Sequence, residues 1–221
     1  MNIFSNTVPF LKGLLVRGFR IARNALIDIR YGGLLGGSIR TRYAHLGAKD
    51  TVNTDYMALP LIFENRIKSS DVLVDVGCGK GRVINWWLGH GCRNRIIGLE
   101  LDGKIAEKTR QRLRRYKNVF IIAGDAIQNL PADGTLFYLY NPFKADIMEA
   151  FKRRLISHFS NHDNILILYY NPKYVDVFRN DPLFAVKTMD IGGPSAAPFS
   201  QLAVIRMGPK IGPDNVSASD R

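Results

Sequence analysis

Val72-Leu73-Val74-Asp75-Val76-Gly77-Cys78-Gly79-Lys80-Gly81-Arg82 is the stretch from which the fold can be read. Its first five residues are a short, largely β-branched run, the pattern of a strand buried on both faces. Glycines at alternate positions follow, and they let the backbone turn sharply and approach a ligand that a Cβ would fend off. Helical spacing resumes over 82–89, with Gly91 as the stop, so the helix points its N-terminus at the same loop. The motif is GxGxG, and Arg82 fills the sixth position of GxGxxG. That disfavours the NAD fingerprint, whose third glycine lets helix and strand pack closely.

Outward from this turn the pattern repeats. Residues 95–99 read as a second strand and 119–123 as a third. Between them, 103–116 has a helical apolar face of Ile105, Ala106, Thr109, Leu113 and Tyr116. Residues 135–140 and 165–170 supply a fourth and fifth strand, separated by a helix over about 144–159. Strands alternating with helices at this spacing mean parallel βαβ units and an α/β sandwich. Residues 184–189 and 202–207 are β-like, and the IGGPSAAP between them is too short for a helical crossover. They read as an antiparallel pair closing a seven-stranded sheet.

Polar signals gather at the strand ends, where open α/β sheets bind ligands. Glu100 lies 23 residues after Gly77 and can accept both ribose hydroxyls of an adenosine. Asp125 at the third tip can take the exocyclic amino group of adenine. The fourth tip carries Tyr140-Asn141-Pro142-Phe143, and the fifth repeats the theme as Tyr169-Tyr170-Asn171-Pro172. Cys78 fits a small packing residue better than a nucleophile, since no histidine lies near it in sequence.

VLVDVGCGKGR, IIGLELD, AGDA and YLYNPF, in this order and spacing, resemble the motifs of class I S-adenosylmethionine-dependent methyltransferases over about residues 71–206. The resemblance implies a Rossmann-like three-layer sandwich with strand order 3-2-1-4-5-7-6, strand 7 antiparallel. It also implies S-adenosyl-L-methionine as cofactor. Carried over, Asp75 sits beneath the methionine amino group, and Gly77, Cys78, Gly79 and Gly81 line the methionine side. Glu100 and Leu101 hold the ribose, and Asp125 and Ala126 edge the adenine. In relatives the stretch 51–63 folds over the donor. Tyr56 is its candidate contact, although Leu59 stands where some relatives have Thr.

Methyl transfer from a sulfonium is an in-line displacement, so positioning and desolvating a neutral nucleophile carries most of the catalysis. An amine needs acceptors that hold its N–H bonds and leave its lone pair aimed at the methyl. Asn141 supplies a side-chain carbonyl, and Pro142 fixes the backbone so that a main-chain carbonyl can join it. Asn141-Pro142-Phe143 is similar to the Asn-Pro-Pro-aromatic motif of amine- and amide-methylating members, without the second proline. Nitrogen of a protein, RNA or small-molecule acceptor is therefore the expected target, with Asn141, Pro142 and Phe143 catalytic. Tyr140, Tyr169, Tyr170 and Asn171 are expected around the acceptor. His90, His158 and His162 fall in helical or post-helical contexts, so neither a histidine base nor a metal is expected at the tips.

Residues 1–70 form an extension with ten basic and four acidic residues. Leu11, Leu14, Leu15, Gly18, Ile21, Ala22, Ala25, Leu26 and Ile29 share one helical face, opposite Lys12, Arg17, Arg20, Arg23 and Arg30. Such a basic amphipathic helix suits an anionic partner, RNA or an anionic membrane surface, or packs on the domain with its basic face solvated; with no acid before Asp28 it also fits an arginine-rich organellar presequence. The glycines at 32–33 and 36–37 read as a hinge. The methyltransferase domain is expected over 71–207 and a disordered, Gly/Pro/Ser-rich tail over 208–221. A helix after the second strand gathers Lys104, Lys108, Arg110, Arg112, Arg114, Arg115 and Lys117, expected on a solvated face.

The 46% hydrophobic content excludes wholesale disorder, and the net charge of +12 favours anionic partners. Two isolated cysteines exclude a disulfide framework, and with no apolar run of roughly 18 residues they point to a cytoplasmic protein, peripheral to a membrane if the helix docks there. The rival readings are an NAD-linked oxidoreductase and a non-catalytic basic RNA- or membrane-surface-binding protein on a nucleotide-binding fold.

Overall fold

In the computed structural model, which describes residues 7–50, 52–159, 165–192 and 200–208, the chain opens with helix α1 (Thr7–Arg30), a 3-10 turn (Ala44–Leu46) and the short helix α2 (Leu59–Phe63). Then come β1 (Leu73–Val76), α3 (Arg82–Gly89), β2 (Ile96–Glu100), α4 (Gly103–Leu113), β3 (Val119–Ala123), β4 (Leu136–Tyr140), α5 (Ala145–Phe159), β5 (Ile165–Tyr170), α6 (Asp176–Arg179), β6 (Phe184–Asp190) and β7 (Gln201–Met207). The sheet order is β3-β2-β1-β4-β5-β7-β6. β7 runs antiparallel to both β5 and β6, and the other pairings are parallel. This is the expected seven-stranded, three-layer sandwich with an N-terminal helix. The expected tail at 209–221, most of the 191–198 connection and His162 lie outside the described residues.

Every residue of β1, β2 and β5 is buried, as central strands covered on both faces must be. Alternation then sorts side chains into two cores. Leu73, Ile96, Leu136, Tyr138, Leu168 and Tyr170 face α3 and α4, together with Phe63, Trp86 and Trp87. Val74, Val76, Ile97, Leu99, Leu139 and Tyr169 face α5, with Met148, Phe151 and Phe159. Gly98 meets the close-packing demand that a third loop glycine would otherwise meet. A Cβ there would stand 2.7 Å from Cys78 Sγ and 3.0 Å from Ile84 Cδ1.

The extension is bound to the sandwich through apolar residues of 56–63, which join the core facing α3 and α4, and through polar groups. Arg82, at the start of α3, grips Asp28 of α1 with two bonds (Nη2 to Oδ2 2.6 Å, Nε to Oδ1 3.2 Å), both residues buried. Arg20 and Asn24 reach Asp55 Oδ2 at 3.0 and 3.2 Å. Lys80 Nζ donates to the carbonyls of Leu35, Gly36 and Gly37, so the stretch expected as a hinge is held against the glycine loop. Arg112, expected in solvent, turns inward. Its guanidinium donates to Tyr31 O, Asn85 Oδ1 and Lys80 O.

Of the two expected dispositions, this docking excludes packing on the domain through the apolar face. Leu15, Phe19, Ile21, Leu26 and Ile29 are 57–71% exposed, while Asp28 is fully buried. The side chains of Leu11, Lys12 and Leu14 lie outside those described. Removing one partner of a buried, bidentate pair leaves an uncompensated charge. Asp28→Ala should therefore cost about 3–5 kcal/mol in chemical denaturation, whereas Arg17→Ala, exposed on the same helix, should be nearly neutral.

Candidate active site

The C-terminal ends of the central strands open onto one cavity of about 600 Å³, a volume that suits a nucleoside-sized ligand with room beside it. The sheet contributes Gly77 after β1, Glu100 to Asp102 after β2, Gly124 to Gln128 after β3 and Tyr140 to Phe143 after β4. The opposite wall comes from 39–50 and Val52, including Arg40, Tyr43, His45 and Lys49. That wall is fastened to the β4 tip. Lys49 N donates to Pro142 O at 3.3 Å, Lys144 N donates to Gly47 O at 3.2 Å, and Ala48 bridges Phe143.

Glu100 is buried at the tip of β2 and is aimed by backbone donors. Its Oε2 accepts from Gly79 N and its Oε1 from Asp102 N, both at 2.9 Å. Burial raises its pKa, and these N–H bonds act in the opposite sense. Asp75 lies beneath the glycine loop, 3% exposed, and its Oδ2 has no hydrogen-bond partner among the described residues. Burial, with the charge of Glu100 added, pushes its pKa up to about 8.

Glycine at 77 is required twice over. Its φ is +78°, and a Cβ would stand 3.3 Å from Pro142 Cβ, so the loop and the Asn-Pro-Phe turn meet face to face. Asn141 holds a φ of +45° and Asn171 one of +50°. Both are unusual for a side-chain-bearing residue and most accessible to Asn. The Asn141 side chain is buried, and its Oδ1 accepts from Tyr169 Oη at 3.1 Å. Tyr169 Oη also accepts from Tyr174 N at 3.4 Å.

The expected donor-site residues divide by position. Gly77, Glu100, Leu101, Asp125 and Ala126 line the cavity. Asp75, Cys78, Gly79 and Gly81 form the layer under it, buried and off its wall. Burial also pushes the Cys78 thiol pKa well up, against a nucleophilic role. Tyr56 is elsewhere: its Oη accepts from Asn85 Nδ2 at 3.1 Å and its ring lies under Arg82, within the core. The covering wall is thus 39–50 rather than 51–63, of which Val52 alone lines the cavity among the described residues.

Of the expected acceptor-side residues, Tyr140, Asn141, Pro142 and Phe143 line the cavity. Tyr169 reaches it through Asn141. Tyr170 is buried behind Tyr140, with the rings 5.0 Å apart, and Asn171 is off the wall. His45 was missed by the sequence reasoning, which placed no histidine at the strand ends. Only the return of the 39–50 segment over the sheet brings it there. Among the described residues no three His, Cys, Asp or Glu side chains gather as metal ligands.

Residues 74–137 match the family model described as a methyltransferase domain. No curated protein matches the chain in sequence. The solved structures that share its fold include the following three. The S-adenosylhomocysteine-bound Podospora anserina methyltransferase PaMTH1 is 17% identical, with 72% of this chain and 80% of that one covered, at a TM-score of 0.55. An RNA methyltransferase from Salinibacter ruber, with S-adenosyl-L-homocysteine, is 18% identical over 76% and 100% at 0.55. The O-methyltransferase from Bacillus cereus, also with S-adenosylhomocysteine, is 12% identical over 71% and 82% at 0.54.

Residues 74–137 thus carry a match to a methyltransferase domain within a fold shared with methyltransferases, whose donor is S-adenosylmethionine. The residues present fit that donor. An unpartnered buried carboxylate oxygen waits under the loop, Glu100 is pre-aimed at the cavity, and Gly77 leaves a gap that a Cβ would fill.

A raised carboxyl pKa has two measurable consequences. In the donor-free protein Asp75 keeps its proton up to about pH 8, whereas an unfolded Asp releases it near 3.9. The folded state therefore binds more protons across that window, and stability contributed by Asp75 falls as pH rises through it. Asp75→Asn should raise the melting temperature at pH 8, by about 2–4 °C per kcal/mol recovered. A ligand ammonium favours the ionised form, so S-adenosylhomocysteine affinity should weaken from pH 8 to pH 6, by up to about tenfold per unit. Calorimetric titration of wild type and Asp75→Asn reads both the slope and its loss.

Proposed function

We propose that the protein methylates nitrogen on an acceptor bound at the tips of β4 and β5, with Asn141 holding the nucleophile. One observation carries this reading: a buried asparagine in left-handed backbone conformation stands on the cavity wall, its carbonyl fixed by Tyr169 and its neighbour Pro142 packed against Gly77. S-adenosylmethionine, when bound, supplies a methyl group on a sulfonium, already activated for displacement.

The protein's part is then orientation. Asn141 Oδ1 has a second lone pair beyond the one Tyr169 engages, and Pro142 O has one beyond that used by Lys49 N. Two carbonyl acceptors one residue apart hold two N–H bonds of an amine or amide, which leaves the nitrogen lone pair to point elsewhere. Neither group is a base strong enough to deprotonate an alcohol, so this pair favours a nucleophile that is neutral at the outset. Tyr140, half-buried with its hydroxyl pKa pushed up to about 12 by burial, stays protonated as part of the wall. Glu100, Leu101, Asp125 and Ala126 take the adenosine end, with Gly77 to Gly81 around the methionine end. Protein side chain, RNA base and small amine are the acceptor classes this geometry admits.

His45 supports a second reading, because it lines the same cavity and a histidine there is a general base for oxygen methylation. The two readings separate on paired variants assayed with methyl-labelled donor against RNA, protein and small-amine panels. Nitrogen transfer predicts that Asn141→Ala loses turnover by about 100-fold or more with S-adenosylhomocysteine affinity retained. Tyr169→Phe should lower kcat more modestly, and His45→Gln should leave it unchanged. Loss in His45→Gln with normal turnover in Asn141→Ala would transfer the chemistry to oxygen.

A further inference from the structure

The outward face of α1 is a feature the methyl-transfer chemistry does not use. At 100° per residue Leu15, Phe19, Ala22, Leu26 and Ile29 fall within about 80° of one another. Leu15, Phe19, Leu26 and Ile29 are 69%, 68%, 71% and 57% exposed. On the opposite side Arg20, Asn24 and Asp28 hold the helix by the Asp55 and Arg82 contacts. The helix therefore cannot roll to bury its stripe without breaking a buried ion pair, and the apolar side chains are held outward. Leu34, 69% exposed, follows just beyond the helix. An apolar patch of this extent on a soluble fold marks a contact surface.

We propose that α1 lies in the plane of an anionic bilayer surface, with its stripe in the acyl boundary and its arginines among the headgroups. Charge selects this occupant. Arg23 and Arg30 are exposed and lie beside the stripe at about 60–80° from Leu15. The basic end of α4 adjoins the C-terminus of α1, where Arg115 Nη2 donates to Arg30 O at 3.1 Å. A second copy of the chain would bring another +12 against this rim, while anionic lipid neutralises it. An RNA surface would leave the aliphatic stripe in water. An in-plane helix with apolar side chains below and arginines at the headgroups satisfies both features. Among the described residues no helix is long and apolar enough to cross a membrane, which is consistent with lying on the surface. The inference does not depend on which atom is methylated.

The test is flotation of the full chain with vesicles of phosphatidylcholine alone and of phosphatidylcholine with phosphatidylglycerol. The chain should float with the anionic vesicles and fall off as salt is raised. Phe19→Glu with Leu26→Glu should weaken vesicle binding by about tenfold or more, and Arg23→Glu with Arg30→Glu by a similar factor. S-adenosylhomocysteine affinity should be unchanged in all of these, which separates this result from failure of the donor site. No binding to anionic vesicles overturns the proposal, as does binding indifferent to the Glu variants. So does sedimentation showing a dimer that Phe19→Glu with Leu26→Glu dissolves, which would assign the stripe to a second copy.

Discussion

The buried pair between Arg82 and Asp28 is the interaction around which this molecule is arranged. Arg82 stands at the first position of α3, where the N-terminal end of a helix carries partial positive charge and an arginine is ill placed. Asp28 answers both charges at once with a bidentate bond, and it also accepts Leu35 N at 3.2 Å. The helix that begins at the donor loop is thereby locked to the extension that roofs the cavity. Lys80 and Arg112 add bonds to the same extension from either side of Arg82. A dinucleotide fold uses its third glycine for close helix–strand packing. Here that packing is supplied from β2 by Gly98, which frees position 82 for a side chain that fastens a second layer of structure.

Beneath that clamp lie two buried carboxyl groups, Glu100 and Asp75. Glu100 is relieved by two backbone N–H groups and needs no further partner to be set in place. Asp75 has an oxygen with none among the described residues. The free protein carries an uncompensated desolvation cost at the position where the resemblance puts a ligand ammonium. Stability spent on an unsatisfied group and recovered as affinity is a familiar arrangement at functional sites.

The sandwich was legible because its signals are local. Strand runs, the glycine turn and the acidic tips are each read within a dozen residues, and the parallel order follows from alternation. The strand-end residues on the cavity wall, Gly77, Glu100, Asp125 and Asn141, come from that same local pattern. What was hidden depends on contacts far apart in the chain. Tyr56 was expected at the donor and is in the core, because its hydroxyl meets Asn85 and its ring meets Arg82. His45 and Lys49 reach the cavity only because 47–49 pairs with the turn after β4, roughly a hundred residues away. Arg112 looks like one of seven solvated charges until the carbonyls of Tyr31 and Lys80 are brought to it. The charge pattern shows where cations are, and their acceptors belong to the tertiary structure.

The same limitation explains the outward apolar face of α1. An amphipathic pattern says that a helix has two faces, and hydrophobic burial supplies the usual rule for which one turns inward. That rule fails when the receiving surface is polar. The surface that receives α1 presents Arg82 from α3 and Asp55 from the segment before α2, and the polar edge of α1 meets both. Burying Leu26 and Phe19 there would break the buried Arg82–Asp28 pair and the Arg20 contact to Asp55, costs of the same order as the burial would return. The helix is thus committed to an outward apolar face by the same pair that fixes the donor loop. Whatever binds that face bears on a helix joined through Arg82 to the glycine loop.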